Sequence, residues 1–412
     1  MRLLVAALLC AAPAAAQPGA SEPAASSTTV QTPALRLIAE SDYPDFNETF
    51  KSKKELIRAA DKGLAYFERY NGPRTIRIAD RVYGPALLAD SLKELVKLAK
   101  SSMTAEAFNA RIRETFDVFQ SAGSDGQGKV VFSSYYQPLV QANRTRTAKY
   151  AVPIYKRPSD LVEVDLASFG VKPNGAGDTL IGRVDKDKRV VPYFTRDQID
   201  VHKALAGKHL ELAWLKDKFE ALDLHIQGSG ILKFPDGKEM LAKYAGTNAR
   251  AYNAVGLMLV KSGVFTKEEI NREKLRAYLR EHPESVDWIL SSNPRYTFFT
   301  LAPLPPDGEP FGAAEQSLVP SRSVAIDPAV IPLGALLFFS TTSPQVDKQG
   351  RLLGQFPNSR FAVALDAGGA IKGPGRVDIY VGHGKQADVM APLQWADGKL
   401  YLLVKKVPPR ER

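Results

Sequence analysis

Two aspartates, Asp366 and Asp378, stand twelve positions apart inside apolar, β-branched sequence: Val363-Ala364-Leu365-Asp366-Ala367 and Arg376-Val377-Asp378-Ile379-Tyr380-Val381. Strand-type text on both sides, joined by Gly368-Gly369-Ala370-Ile371-Lys372-Gly373, predicts two β-strands linked by a glycine-rich turn. A carboxylate placed in a strand interior is costly unless it is paired or used. One short connection brings two of them close, and such a pair suits acid/base work on a glycosidic or similarly acid-labile bond. The competing structural account has Asp366 capping the turn and Asp378 pairing with Lys372 or Arg376. A third aspartate, Asp327 in Ser323-Val324-Ala325-Ile326-Asp327-Pro328, reads as a turn starter.

Around this region the chain of 412 residues has room for two or three domains. Its 44% hydrophobic and 24% charged residues are ordinary for a folded globular protein. Residues 1–16 read as a signal peptide: Arg2, an apolar run from Leu3 to Ala12, then Ala14-Ala15-Ala16 before Gln17. The run is too short to span a bilayer, so an exported, periplasmic protein is expected, with outer-membrane association as an alternative. The only cysteine, Cys10, falls in this leader, which removes disulfides, thiolate metal sites and a cysteine nucleophile from the mature chain. The net charge of +10 fits an anionic partner, such as nucleic acid, anionic lipid or a carboxylate-bearing polymer, and equally a merely basic solvated surface, since no long Lys/Arg run occurs.

Residues 17–35 form an Ala/Pro/Ser/Thr-rich tether. Helical spacing follows over 50–69, 87–100 and 104–119. From Lys129 to Ala142 the text is strand-like, interrupted by Pro138. Between 143 and 305 strands and helices alternate, with helices expected at 196–204, 252–262, 267–281 and 284–291 and a strand from Leu224 to Leu232. The Pro/Gly-rich segment 302–312 returns the chain to a β-dominated tail.

Other chemistry is weakly represented. The five histidines lack metal-ligand spacing, no HExxH or GxSxG occurs, and the glycine turn has neither the spacing nor the Ser/Thr of a phosphate loop. No metal or cofactor is expected. Tyr135, Tyr136, Tyr244 and Tyr252, with Gln137, Gln227 and Asn248, are candidates for lining a sugar site, because aromatic faces cover sugar rings and amides bond their hydroxyls.

Several segments, in order, carry a family resemblance. These are YYQPLVQANRTRTAKYAVPIY (135–155), PYFTRDQID (192–200), IQGSG (226–230), YAGTNARAYNAVG (244–256), SVAIDP with IPLG (323–334), and VALDAGGAIKGPGRVDIYVG (363–382). Together they resemble the membrane-bound lytic murein transglycosylase A family with its C-terminal three-aspartate domain, over roughly residues 130–404. The resemblance implies a mainly β fold with flanking helices. A double-psi β-barrel domain from 36–142 plus 306–412, with its three-aspartate region at about 320–405, would carry an inserted mixed domain at 143–305, with a glycan groove between them. It implies non-hydrolytic cleavage of the β-1,4 bond between N-acetylmuramic acid and N-acetylglucosamine in peptidoglycan, leaving 1,6-anhydro ends. Asp378 would be the general acid/base and Asp366 a supporting residue. Tyr136, Gln137, Gln227, Tyr244, Asn248 and Lys372 would contact substrate. The partner would be a peptidoglycan glycan strand rather than nucleic acid, and the enzyme a monomer. A hydrolytic glycosidase on the same fold and a non-catalytic peptidoglycan-binding protein are the alternatives. The chain departs from the family in having Ser134 before the tyrosine pair, an extra residue at Pro374-Gly375, and Leu9 before Cys10 where a lipid-anchor signal needs a small residue.

Overall fold

A computed structural model of the chain describes residues 33–48, 52–170, 179–267, 269–347 and 351–407. The signal peptide and nearly all of the tether lie outside the described residues.

The first segment runs from β1 (Leu35–Leu37) through α1 (Lys53–Glu68), the short hairpin β2 (Ile76–Ile78) and β3 (Arg81–Tyr83), α2 (Pro85–Lys100) and α3 (Ala105–Thr115) into β4 (Phe116–Ser121) and β5 (Val130–Gln137). α1 buries Leu56, Ala59, Ala60 and Gly63, and α2 buries Leu88, Leu92 and Leu95, one apolar stripe each. α2 begins with Pro85, whose missing N–H costs nothing at a helix start. The helix expected over 104–119 stops at Thr115. Phe116 to Phe119 are instead strand, because their backbone pairs with β19 along its length, while β1 joins the other edge from Phe119 to Ser121.

The middle segment contains β6 (Leu139–Asn143), β7 (Val152–Tyr155), β8 (Val162–Asp165), β9 (Thr179–Val184), β10 (Val190–Pro192), α4 (Arg196–Asp200), β11 (Glu211–Leu215), α5 (Lys218–Gln227), β12 (Gly230–Lys233), β13 (Glu239–Thr247), α6 (Val255–Lys261), α7 (Arg272–Glu281), α8 (Val286–Ser291) and β14 (Thr297–Pro303). The strand expected from Leu224 to Leu232 is a helix end followed by a strand. Asp217 caps α5 by accepting from Glu220 N at 2.8 Å, and Gly228 closes it with φ +78. Only the part beyond Gly228 pairs as strand, β12 lying between β13 and β6.

The last segment comprises β15 (Ser323–Ile326), β16 (Leu336–Val346), β17 (Leu352–Ala367), β18 (Arg376–His383), α9 (Gly384–Met390) and β19 (Trp395–Lys405). The tail is β-dominated as expected, with α9 between β18 and β19.

Two compact units result. One consists of 135–310 with 382–393; among the described residues the other consists of 33–134, 311–381 and 394–407. The first holds a six-stranded sheet in the order β14-β13-β12-β6-β11-β7 and a three-stranded sheet β10-β9-β8. In the second, β19-β16-β17-β15-β18-β5 form a ring, closed where the first half of β19 pairs with β5. This is a closed six-stranded barrel, extended at one edge of β19 by β4 and β1. Its interior is filled by Phe132, Val324, Ile326, Leu337, Phe339, Ala364, Val377, Ile379, Leu400 and Leu402. Each of the large side chains contributes about 1.5–3 kcal/mol by leaving water. β17 and β18 follow each other in sequence but are not neighbours, because β15 lies between them, parallel to β17 and antiparallel to β18.

Candidate active site

That interposed strand sets the aspartate geometry. Asp366 on β17 and Asp378 on β18 are both in register with Ala325 of β15. Residues in register project from the same face of a sheet, so the two Cα atoms stand about 9–10 Å apart, two strand spacings, on one face. The alternating residues Val324, Ala364, Val377 and Ile379 fill the interior, which leaves both carboxylates on the barrel's outer face. A bulge is essential to this. Val324 pairs with Ala364 but Ala325 pairs with Asp366, so Leu365 is the extra residue. Without it, Asp366 would stand opposite Ile326 and share the register of an interior residue.

Asp378 is half-buried, with 20% of its side chain exposed. Burial pushes its carboxyl above the ordinary range; Arg376 pulls the other way, and the Asp366 carboxylate adds to the push. Arg376 Nη2 is 3.4 Å from Asp378 Oδ1, at the long end of hydrogen bonding. Asp366 is held differently: its Oδ1 accepts from Ala313 N and from Ala367 N, both at 2.9 Å.

The glycine turn between the strands is stapled along its length. Gly373 N donates to Asp327 Oδ2 at 2.7 Å, Ser121 Oγ to Pro374 O at 2.6 Å, and Val131 N to Gly375 O at 2.9 Å. Gly375 lies so close to Ser124 that a Cβ would come within 2.7 Å. Asp327 also accepts from Ala329 N at 3.2 Å, so it anchors two turns at once. Lys372 Nζ lies 3.9 Å from Asp327 Oδ1 with 67% of its side chain exposed.

The sugar-site candidates on the other unit divide by exposure. Tyr244 is 51% exposed. Gln227 is half-buried and accepts from Tyr136 N at 3.4 Å. Tyr136 is buried and donates its hydroxyl to Asp223 Oδ2 at 2.7 Å. Gln137 is buried and accepts from Ser229 Oγ at 2.9 Å, while its Nε2 has no partner among the described residues. Asn248 is buried with its amide fully engaged: Nδ2 donates to Phe194 O and Pro294 O, and Oδ1 accepts from Tyr296 N, all at 2.8 Å.

Three side chains missed in the sequence tie these elements together. Arg272 donates to Asp223 Oδ2 at 2.7 Å and pairs with Asp388 of α9 at 2.8 Å. Burial opposes its charge, but Asp223 and Asp388 hold its pKa above the usual value. The Leu222-Asp223-Leu224 text carried the same signal as Asp366, a carboxylate in an apolar run. Among the described residues no group of three or more His, Cys, Asp or Glu is placed to hold a metal ion.

Comparison with known proteins fits this arrangement. The profile of the MltA specific insert domain matches residues 131–300, and that of the 3D domain matches 322–404. The chain is 31% identical over 292 residues to membrane-bound lytic murein transglycosylase A of Escherichia coli (strain K12), covering 70% of this chain and 69% of that protein. The chain belongs to the membrane-bound lytic murein transglycosylase A family. Among solved structures, membrane-bound lytic murein transglycosylase from Agrobacterium tumefaciens matches with a TM-score of 0.69 at 26% identity, over 90% of this chain and 98% of that one. Escherichia coli MltA with bound chitohexaose matches with a TM-score of 0.67 at 25% identity, over 91% and 96%. Although these relatives are named membrane-bound, no helix among the described residues is long and apolar enough to cross a membrane.

Proposed function

We propose that this protein is a lytic murein transglycosylase that cleaves the β-1,4 bond between N-acetylmuramic acid and N-acetylglucosamine without water, with Asp378 as general acid and then base. The single observation that carries the assignment is the half-buried Asp378 on the barrel's outer face, its carboxyl pushed up by burial, which favours the protonated form that a general acid needs. Asp378 protonates the departing glycosidic oxygen. Its carboxylate then takes the proton of the muramic acid 6-hydroxyl as that oxygen closes on the anomeric carbon. The nucleophile comes from the substrate, so proximity replaces a second catalytic carboxylate. Asp366, with Oδ1 engaged by two backbone amides, is placed as a support for the site rather than as a base for water.

The substrate in this reading is a glycan strand of peptidoglycan, not nucleic acid, and the enzyme works as a monomer exported to the periplasm. The chitohexaose bound to the Escherichia coli relative supports a β-1,4 glycan ligand. Exposed Lys372 on the barrel unit, and exposed Tyr244 and half-buried Gln227 on the other unit, are the substrate contacts in this reading. Tyr136, Gln137 and Asn248 are buried in their own unit and would act through their neighbours. The domains proposed are a double-psi barrel domain, 36–142 with 306–412, and an insert, 143–305. The compact units that change at 134/135 and 310/311, and the profile matches at 131–300 and 322–404, support boundaries near 142 and 306, although 382–393 fall in the same compact unit as the insert.

The test is digestion of purified sacculi followed by mass spectrometry. Wild-type protein should release 1,6-anhydromuropeptides, and D378N should lose activity by about 10²–10⁴-fold while folding normally. Products heavier by one water per cut would mean hydrolysis, and undiminished release by D378N would remove Asp378 from the chemistry.

A further inference from the structure

Arg376 is a residue that the acid/base role of Asp378 does not by itself require. It stands two positions before Asp378 on β18, so both side chains leave the same face. Nε donates to Ser133 Oγ at 3.0 Å, and the guanidinium lies over the Trp395 ring, 4.6 Å from its centre. Ser133 and Trp395 are themselves cross-strand partners between β5 and β19. Two strands thus build a cradle for the Arg376 side chain, of which only 18% is exposed. A planar cation that can stack and hydrogen-bond at once is what such a cradle fits.

We propose, building on the acid/base assignment of Asp378, that Arg376 is a positioning residue: the Ser133–Trp395 cradle holds its guanidinium near enough to stabilise the Asp378 carboxylate formed during turnover, but in a single long contact rather than the tight bidentate pair that would lock the resting carboxyl in its charged form. The reaction needs both forms of Asp378. First its O–H bond breaks, the proton goes to the glycosidic oxygen, and the C–O bonding pair leaves with that oxygen. The 6-hydroxyl oxygen then bonds to the anomeric carbon and its proton returns to Asp378, so the residue ends as it began. Between the two transfers the negative charge sits on Asp378. Of the elements around it, β18 contributes the cation Arg376 and β17 the anion Asp366, while β15 and β5 present uncharged Ala325 and Ser133. A tight bidentate pair would favour the carboxylate before turnover and remove the acid. The 3.4 Å approach avoids that.

The experiment measures the pH profile of kcat/KM for anhydromuropeptide release by the full chain, with R376Q, R376K and W395L alongside. The descending limb reports the protonated acid. Removing Arg376 removes a neighbour that favours the carboxylate, so R376Q should shift the limb upward by about one pH unit and lower kcat roughly tenfold. R376K should return the limb to the wild-type position, and W395L should move it in the R376Q direction. A ¹³C carboxyl titration of Asp378, assigned by its absence in D378N, should show the same displacement without substrate. If R376Q unfolds, W395L and S133A carry the test, because they loosen the cradle and keep the arginine. Limbs and titrations that superimpose on wild type, or a uniform loss of kcat with an unmoved limb, would overturn the proposal. Retained activity in D378N would instead sink the acid/base assignment, and the carboxyl titration of R376Q would still decide whether Arg376 and Asp378 are coupled.

Discussion

Asp366 and Asp378 are the same residue type on the same face, and their surroundings make them different. Asp366 spends one oxygen on Ala313 N and Ala367 N, whereas Asp378 faces a loosely placed guanidinium from a half-buried position. Two substitutions separate the structural and electrostatic parts of Asp366. D366N keeps an acceptor for both amides and removes the charge that raises the Asp378 pKa. Its melting temperature should stay close to wild type while the descending limb of the pH profile moves to lower pH. D366A loses the acceptor as well and should cost about 1 kcal/mol in urea denaturation. The aspartates were legible in the sequence because charge inside apolar strand text is conspicuous. Ser133 and Trp395 were not, since Ser133 lies 243 positions from the arginine it holds and its type is unremarkable in a strand.

At the scale of elements, tertiary pairing overrode local pattern where the pattern was short. Phe116 to Phe119 continue a helical spacing but become strand because β19 supplies hydrogen-bond partners along one edge and β1 takes the other edge from Phe119 onward. Leu224 to Gln227 are helix because Asp217 and Gly228 define its two ends. That helix delivers His225 into the interior, where Arg196 Nη1 meets its Nδ1 at 2.9 Å and the ring stacks on Phe299. Arginine only donates, so Nδ1 accepts and the ring is neutral with its proton on Nε2. Burial, then the Arg196 charge, depress the His225 pKa below 6.5. The unfolded chain therefore binds the extra proton first as pH falls. The stability tied to neutral His225 is complete above about pH 6.5 and is lost as pH drops from there toward the folded-state pKa. H225Q should flatten this dependence: urea titrations at pH 7.5 and pH 5 should differ by roughly 1–2 kcal/mol more in wild type than in the variant.

For the whole molecule, Arg272 is a side chain that joins three helices of one unit. It links α7 to Asp223 on α5 and to Asp388 on α9, and α9 enters this unit directly after β18. R272M would leave Asp223 buried with only the Tyr136 hydroxyl and should cost about 3 kcal/mol by urea denaturation. Adding D223N should recover part of that loss, because no orphaned carboxylate then remains. The sequence by itself determined the mainly β character, the position of the glycine turn and the pair of aspartates, because strand text, turn residues and misplaced charges are local signals. Only the tertiary structure decided that β15 separates the two aspartate strands, that the bulge at Leu365 turns Asp366 outward, and that Arg376 rests on Ser133 and Trp395. Those features depend on which distant strands pair and in what register, and a one-residue change of register would carry the same side chains to the opposite face.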